Sequence, residues 1–231
     1  LIRETKGEEL TLSAIPQGDT AAYSLLRSGQ TLGLFQLESS GMRRLLVQLA
    51  PEVFEDLISL VALYRPGPLG SGMVDDFIKR RHGEKENAYL HPMLEEILQP
   101  TYGIILYQEQ VMQICHRLGG FTLGESDLVR RAMGKKQPEV LSALREKFIK
   151  GAEERGISRK IGEEIFNLME YFAGYGFNKS HSAAYALIAY WTAYFKANYP
   201  QAFMAALLTS VIGRSDKVGI YIEECRRLGI P

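Results

Sequence analysis

The chain has 231 residues, 46% of them hydrophobic, and its 27 Lys and Arg balance 27 Asp and Glu to a formal net charge of +0. A globular chain of this length buries roughly 70% of its unfolded surface, enough for one large core or two small ones. Charge balance excludes an overall coat of positive charge, so any polyanion must be met by a local patch.

The opening Leu1-Ile-Arg-Glu-Thr-Lys6 is charged rather than apolar and gives no sign of a signal peptide. Opening without Met and stopping at Gly229-Ile-Pro231, the sequence reads as a stretch of a longer protein. Residues 1–30 carry a loose pattern and are expected to be a linker or partner-dependent segment, within which Glu9 to Ile15 reads as a short strand. Beyond them, apolar residues recur at three- and four-residue spacing over most of the length and predict a mainly α-helical protein.

Pro51 before Phe54-Glu-Asp-Leu57 signals a helix start. Tyr64 to Gly72, with two prolines and three glycines, is expected to be an irregular loop. Adjacent Asp75 and Asp76 diverge on a helix and read as a solvated face rather than a magnesium site. Thr101-Tyr-Gly-Ile-Ile-Leu-Tyr107 predicts a brief strand leading into a helix. His82, His91 and His116 lie in separate segments without metal-ligand spacing. Cys115 and Cys225 form no Cys-x-x-Cys pair, which fits a reduced, cytoplasmic protein better than one with a long-range disulfide.

Leu128 to Lys136 packs Arg130, Arg131, Lys135 and Lys136 into one short segment. Two readings stand. Cations complement the negative pole of a helix C-terminus, and arginine forks with mobile lysines also suit a polyphosphate. Arg130 and Arg131 should point roughly 100° apart on a helix, and Lys135-Lys136 precede the Pro138 helix, so the cations are expected to converge on a turn.

Leu141, Leu144, Phe148 and Ala152 mark the Pro138 helix, and Ile161, Ile165, Phe166 and Met169 mark one capped by Ser158. Gly119-Gly120, Gly134, Gly156, Gly174 and Gly213 each follow a periodic segment and are expected to close helices in the left-handed conformation. Gly174 to His181 sets Lys179, Ser180 and His181 where a long helix should begin, a place suited to capping and to anion binding alike. It is not a phosphate loop, because Asn178 stands where glycine is required and a helix, not a strand, precedes it.

The uncharged run 182–195 is shorter than the roughly 20 apolar residues of a membrane span and reads as a buried helix that Pro200 ends. Tyr171, Phe172, Tyr175, Phe177, Tyr185, Tyr190, Trp191 and Tyr194 could stack on bases, but within that helix core packing is the stronger reading.

Five motifs then carry a resemblance: Gly33-Leu-Phe-Gln-Leu-Glu-Ser39, Ala62-Leu-Tyr-Arg-Pro-Gly-Pro68, Gly103-Ile-Ile-Leu-Tyr-Gln-Glu-Gln-Val-Met112, Arg130-Arg-Ala-Met-Gly-Lys-Lys136, and Phe172 to Ala184. From Thr31 to Pro231 the chain resembles the alpha subunits of the bacterial C-family polymerases, DNA polymerase III. That resemblance implies an irregular multi-helix fingers lobe over 31–231, with one or two short strands, joined to the palm through 1–30.

It implies a DNA-directed DNA polymerase in which Mg2+ sits on palm aspartates outside this stretch, leaving no catalytic or metal residue here and a fragment inactive alone. Arg130, Arg131, Lys135 and Lys136 would reach the phosphates of the incoming dNTP. Lys179, Ser180 and His181 would be further contacts, and Arg65 and Gln108 to Gln110 would line the cleft as supports or template contacts. Implied partners are the dNTP, the DNA template-primer, the palm of the same polypeptide and other replisome subunits, with no membrane. The competing reading is a helical scaffold that binds single-stranded nucleic acid or a replisome protein.

Overall fold

A computed structural model describes every residue except Lys136, Gln137 and Gly174. In chain order the described residues form α1 (Ile2–Lys6), α2 (Thr20–Arg27), α3 (Ser40–Leu49), α4 (Phe54–Leu63), α5 (Pro66–Gly70), α6 (Met73–Arg81), α7 (Pro92–Leu98), α8 (Gln108–Arg117), α9 (Leu123–Lys135), α10 (Pro138–Glu153), α11 (Arg159–Ala173), α12 (Lys179–Asn198), α13 (Pro200–Ser210) and α14 (Ser215–Arg227).

The expected helical class is present, but the expected strands are not. Among the described residues there is no sheet, and strand-like pairing is confined to one parallel bridge between Tyr107 and Phe177. Residues 9–15 hold a 3-10 turn, Leu12–Ala14, and Thr101 closes another, Gln99–Thr101. Ile104, Ile105 and Leu106 are buried side chains of an extended segment; a short apolar run serves equally as strand or core plug, and periodicity cannot tell them apart. The expected loop at Tyr64–Gly72 contains α5, because Pro66 occupies the first helical position, where its missing N–H costs nothing.

The chain divides into two compact units, 1–61 with 183–231, and 62–182. In the first, Tyr190 is fully buried; its hydroxyl donates to the Pro16 carbonyl at 2.6 Å and accepts from the Asp19 N–H at 3.0 Å. Lys196, also on α12, is buried too. Its ammonium donates to the carbonyls of Gln30 and Leu32 at 2.9 and 2.8 Å and to Glu224 on α14 at 2.6 Å. Burial pushes the Lys196 ammonium below its ordinary value. Burial alone would raise the Glu224 carboxyl, but hydrogen bonds from Arg227 and Lys196 outweigh it and hold it low. Glu38 is gripped similarly by Lys217 at 2.8 Å and the Tyr221 hydroxyl at 2.9 Å. A smaller apolar cluster of Met204, Val211, Tyr221 and Cys225 completes this unit. Among the described residues no helix is long and apolar enough to cross a membrane.

The second unit packs α8, α9, α10 and α11 around Ile114, Cys115, Phe121, Phe148, Phe166 and Met169. Cys115 and Cys225 are both free thiols. Gly120 turns the chain at φ +70°, as a helix terminator should, whereas its neighbour Gly119 has a different task. Gly151 on α10 lies so close to Gly119 that an added Cβ would stand 1.9 Å from the Gly119 carbonyl oxygen. Gly156 and Gly213 close helices at φ +80° and +92°, but Gly134 lies inside α9, where no reversal occurs; Gly174 lies outside the described residues.

At the start of α9, the Glu125 carboxylate accepts from the Thr122 N–H at 2.9 Å while the Thr122 hydroxyl oxygen accepts from the Glu125 N–H at 3.2 Å. Lys147 of α10 pairs with the same carboxylate. These bonds, Lys147 foremost, lower the Glu125 carboxyl from 4.5 to about 2.

Two outcomes follow from this packing. Gly→Ala at an open mid-helix site stabilises by about 1 kcal/mol, but Gly151→Ala should destabilise by about 1–3 kcal/mol in urea unfolding, since the obstacle is backbone. Because the folded-state value of Glu125 is depressed, its stabilisation is present above 4.5 and lost as pH falls through about 2. Urea midpoints of the parent and Glu125→Gln should therefore differ at neutral pH and converge near pH 2; a gap that persists there contradicts the assignment.

Candidate functional site

The second unit gathers most of the cationic residues singled out in the sequence, and a backbone pairing does the gathering. The Phe177 N–H donates to the Leu106 carbonyl at 3.0 Å, and the Gln108 N–H donates to the Phe177 carbonyl at 2.9 Å. This pairing sets the first residues of α8 beside the first residue of α12. Gly176 allows the approach, because a Cβ there would meet Gln108 Cγ at 3.2 Å. The Gln108 amide donates to the Gly176 carbonyl at 3.2 Å and accepts from Arg130 Nη1 at 3.2 Å.

Arg65, just before α5, reaches the same segment. Its guanidinium lies 4.4 Å from the centre of the Phe177 ring and donates to the Tyr175 carbonyl at 2.6 Å and to the Ala62 carbonyl at 2.8 Å. Desolvation lowers it from its ordinary value, yet arginine stays protonated under any such shift.

Lys179 opens α12 with its ammonium 5.4 Å from the centre of the Tyr107 ring. Its N–H donates to both carboxylate oxygens of Glu109, each at 3.0 Å, and the His181 N–H donates to Asn178 Oδ1 at 2.8 Å. Capping therefore uses donors that an anion could otherwise have taken, and what Lys179, Ser180 and His181 present outward is exposed side chain.

Arg130 and Arg131 do not spread across α9 as their spacing suggests. Both turn to Asp127, one and the other oxygen of which they share: Arg130 Nε and Nη2 lie 2.8 and 2.7 Å from Oδ1, and Arg131 Nη2 lies 2.7 Å from Oδ2. The Arg130 hydrogen bond is the foremost cause holding the Asp127 carboxyl below its ordinary value. Arg130 is partly buried and Arg131 largely exposed. Lys135 is exposed on the last turn of α9, and Lys136 lies outside the described residues; the two arginines themselves converge on a carboxylate.

Gln110 is not on this face. Buried, it accepts from the Leu106 and Tyr107 N–H groups at 2.8 and 2.9 Å and donates to Thr101 Oγ1 at 2.7 Å, so its amide holds the extended segment in place. Asp76 forms a surface ion pair with Lys85 at 2.8 Å. His91 Nδ1 accepts from the Met93 N–H at 3.3 Å, a capping role.

Sequence reasoning missed Asp127. The signal for Asp127 was available, since it stands three and four residues before the arginines, where helical side chains meet. Glu109 lies within the expected cleft segment Gln108 to Gln110, but its capping of Lys179 could not be found that way, because that partner is 70 residues distant.

Among the described residues, no group of three His, Cys, Asp or Glu could hold a metal ion. Asp127, the carboxylate beside the arginines, is held by two guanidinium groups and does not fit a magnesium ligand. No step through magnesium is assigned to these residues.

Residues 1–156 match the model of the bacterial DNA polymerase III alpha subunit finger domain. DNA polymerase III subunit alpha of Campylobacter jejuni is 53% identical over 230 residues, covering 100% of this chain and 19% of that protein. The Pseudomonas aeruginosa subunit is 54% identical over 96% of the chain, and that of Escherichia coli K12 is 52% identical over 99%, covering 19% and 20% of those proteins. The chain thus spans about a fifth of the length of the relatives it matches. With four motif-bearing segments brought together in one unit and a family model matched over more than half its length, this chain belongs to the bacterial DNA polymerase III alpha subunit finger-domain family.

Proposed function

We propose that this chain is the fingers region of a cytoplasmic, DNA-directed DNA polymerase and that its arginine pair binds the triphosphate of the incoming dNTP. The observation that carries this reading is the clustering of Arg130, Arg65 and Lys179 around the Phe177 pairing, with Arg131 joined to Arg130 through Asp127, in a chain with no net charge. Phosphoryl transfer asks little covalent work of a protein; positioning and charge neutralisation supply the rate. Arginine pairs suit this because each fork offers several donors in fixed geometry to phosphate oxygens.

Roles divide along the observed geometry. Arg130, held by Asp127 and Gln108, would be a fixed contact, and exposed Arg131 an adjustable one. Lys179 and Lys135 would add charge at the margin of the site, and Lys136, outside the described residues, would be a further phosphate contact, while Ser180 and His181 would face the nucleotide from the start of α12. Arg65 and Gln108 support the cluster, and template-primer DNA would lie along the same face. Catalytic carboxylates and their Mg2+ would come from the palm of the same polypeptide, outside these residues, and other replisome subunits would dock elsewhere.

In the full-length polymerase subunit, Arg131→Ala should lower kcat/KM for dNTP by about 10- to 100-fold, the loss of one charge-assisted contact. Affinity for primer-template DNA should stay within about twofold. Unchanged kcat/KM with a weakened, salt-dependent hold on single-stranded DNA would instead favour the scaffold reading.

A further inference from the structure

Asp127 is a single carboxylate with two guanidinium groups on it. Helical neighbours should point roughly 100° apart, yet one carboxylate draws both side chains to a common point. Asp127 is itself only 27% exposed, as Arg130 is 29% and Arg131 64%. Ion pairs at i,i+3 and i,i+4 spacing along one helix add little to stability, so the fold does not explain why a carboxylate should stand where the arginines are to meet an anion. The two cations on one anion leave a net positive charge, and each guanidinium has five N–H donors. Among the described residues Arg131 has its one ion pair with Asp127, so most of its donors remain for another acceptor.

We propose that Asp127 is a positioning residue that yokes Arg130 and Arg131 together and competes with the triphosphate for their donors, thereby weakening the hold on both the incoming nucleotide and the departing pyrophosphate. The inference rests on the triphosphate reading above. Hydrogen bonding from Arg130 keeps the carboxyl below its ordinary value, so the competing charge is present throughout the neutral range. A polyphosphate carries more charge than one carboxylate and can displace it. A carboxylate left a few ångströms away still opposes the ligand electrostatically. Arg130 has Gln108 as a second tether, so the exchange falls mainly on Arg131. The consequence is a site that recruits its ligand without retaining its product.

The test is steady-state kinetics of the full-length polymerase subunit carrying Asp127→Asn, which keeps the shape and one acceptor oxygen but removes the charge. KM for dNTP should fall by about three- to tenfold, and inhibition by added inorganic pyrophosphate should strengthen by a similar factor. Asp127→Glu should return both towards the parent values. A helix-stabilising role alone would shift the thermal midpoint without tightening either ligand. If Arg131→Ala raises KM while Asp127→Asn leaves KM unchanged or raises it, the proposal for Asp127 is overturned and the triphosphate reading stands. If Arg131→Ala leaves kcat/KM unchanged, both fall together.

Discussion

Two hydrogen bonds, from Phe177 to Leu106 and from Gln108 to Phe177, are the constraint on which the candidate site depends. They are backbone bonds, so no side chain specifies them, and they join positions about 70 residues apart. Everything around them serves that register. Gln110 fills the N–H groups of the extended segment from inside, Gly176 keeps the approach open, and Glu109 caps the helix that begins immediately afterwards. Arg65 then uses the Phe177 ring as a platform, and Arg130 uses the side-chain amide oxygen of Gln108. Shifting this pairing by one residue would turn Phe177 away from Arg65 and Gln108 away from Arg130, because successive side chains of an extended segment face opposite ways.

The first unit solves a different electrostatic problem with the same economy. Lys196 is buried with a complete set of three oxygen acceptors, two of them carbonyls of residues 30–32. Burying an ammonium is costly unless it is paired and hydrogen-bonded, and here one side chain fastens α14 and the segment before α3 to α12. Such a pair is weak evidence for net stability, but an apolar residue at 196 would leave two carbonyls without their partner and Glu224 with Arg227 alone. The balanced charge of the chain is thus not diffuse. In both units cations and carboxylates are matched locally, and net positive charge persists where two arginines share one aspartate.

The helices were largely legible because their signals are local. Ser158 accepts from the Ile161 N–H at 3.4 Å, Pro138 and Pro200 open α10 and α13, and Tyr190 is the core aromatic its helix required. What escaped reading was non-local or ambiguous. Residues 104–107 carry strand-like composition but, among the described residues, pair only through the bridge of Tyr107 with Phe177. Gly119 reads as a terminator, whereas its lack of a side chain serves the approach of α10, which only the fold reveals. The arginine pair was visible as charge, while its geometry depends on Asp127, three and four residues before the arginines on the same helix. Lys196 illustrates the opposite limit: in sequence it is one lysine in the last turn of an apolar helix, indistinguishable from a solvated cation at the negative pole.

The contrast between Arg130 and Arg131 follows from these restraints. An arginine side chain loses up to about 2 kcal/mol of rotamer freedom when fixed, and for Arg130 that cost is met on folding, through Asp127 and Gln108. Arg131, more exposed and joined to one oxygen, retains more of its freedom and must surrender it when it grips a ligand. The fixed arginine is therefore suited to defining where an anion sits, and the mobile one to responding to whether it fits. Neither property belongs to the residue type; each comes from the number of partners that α8 and α9 bring within reach.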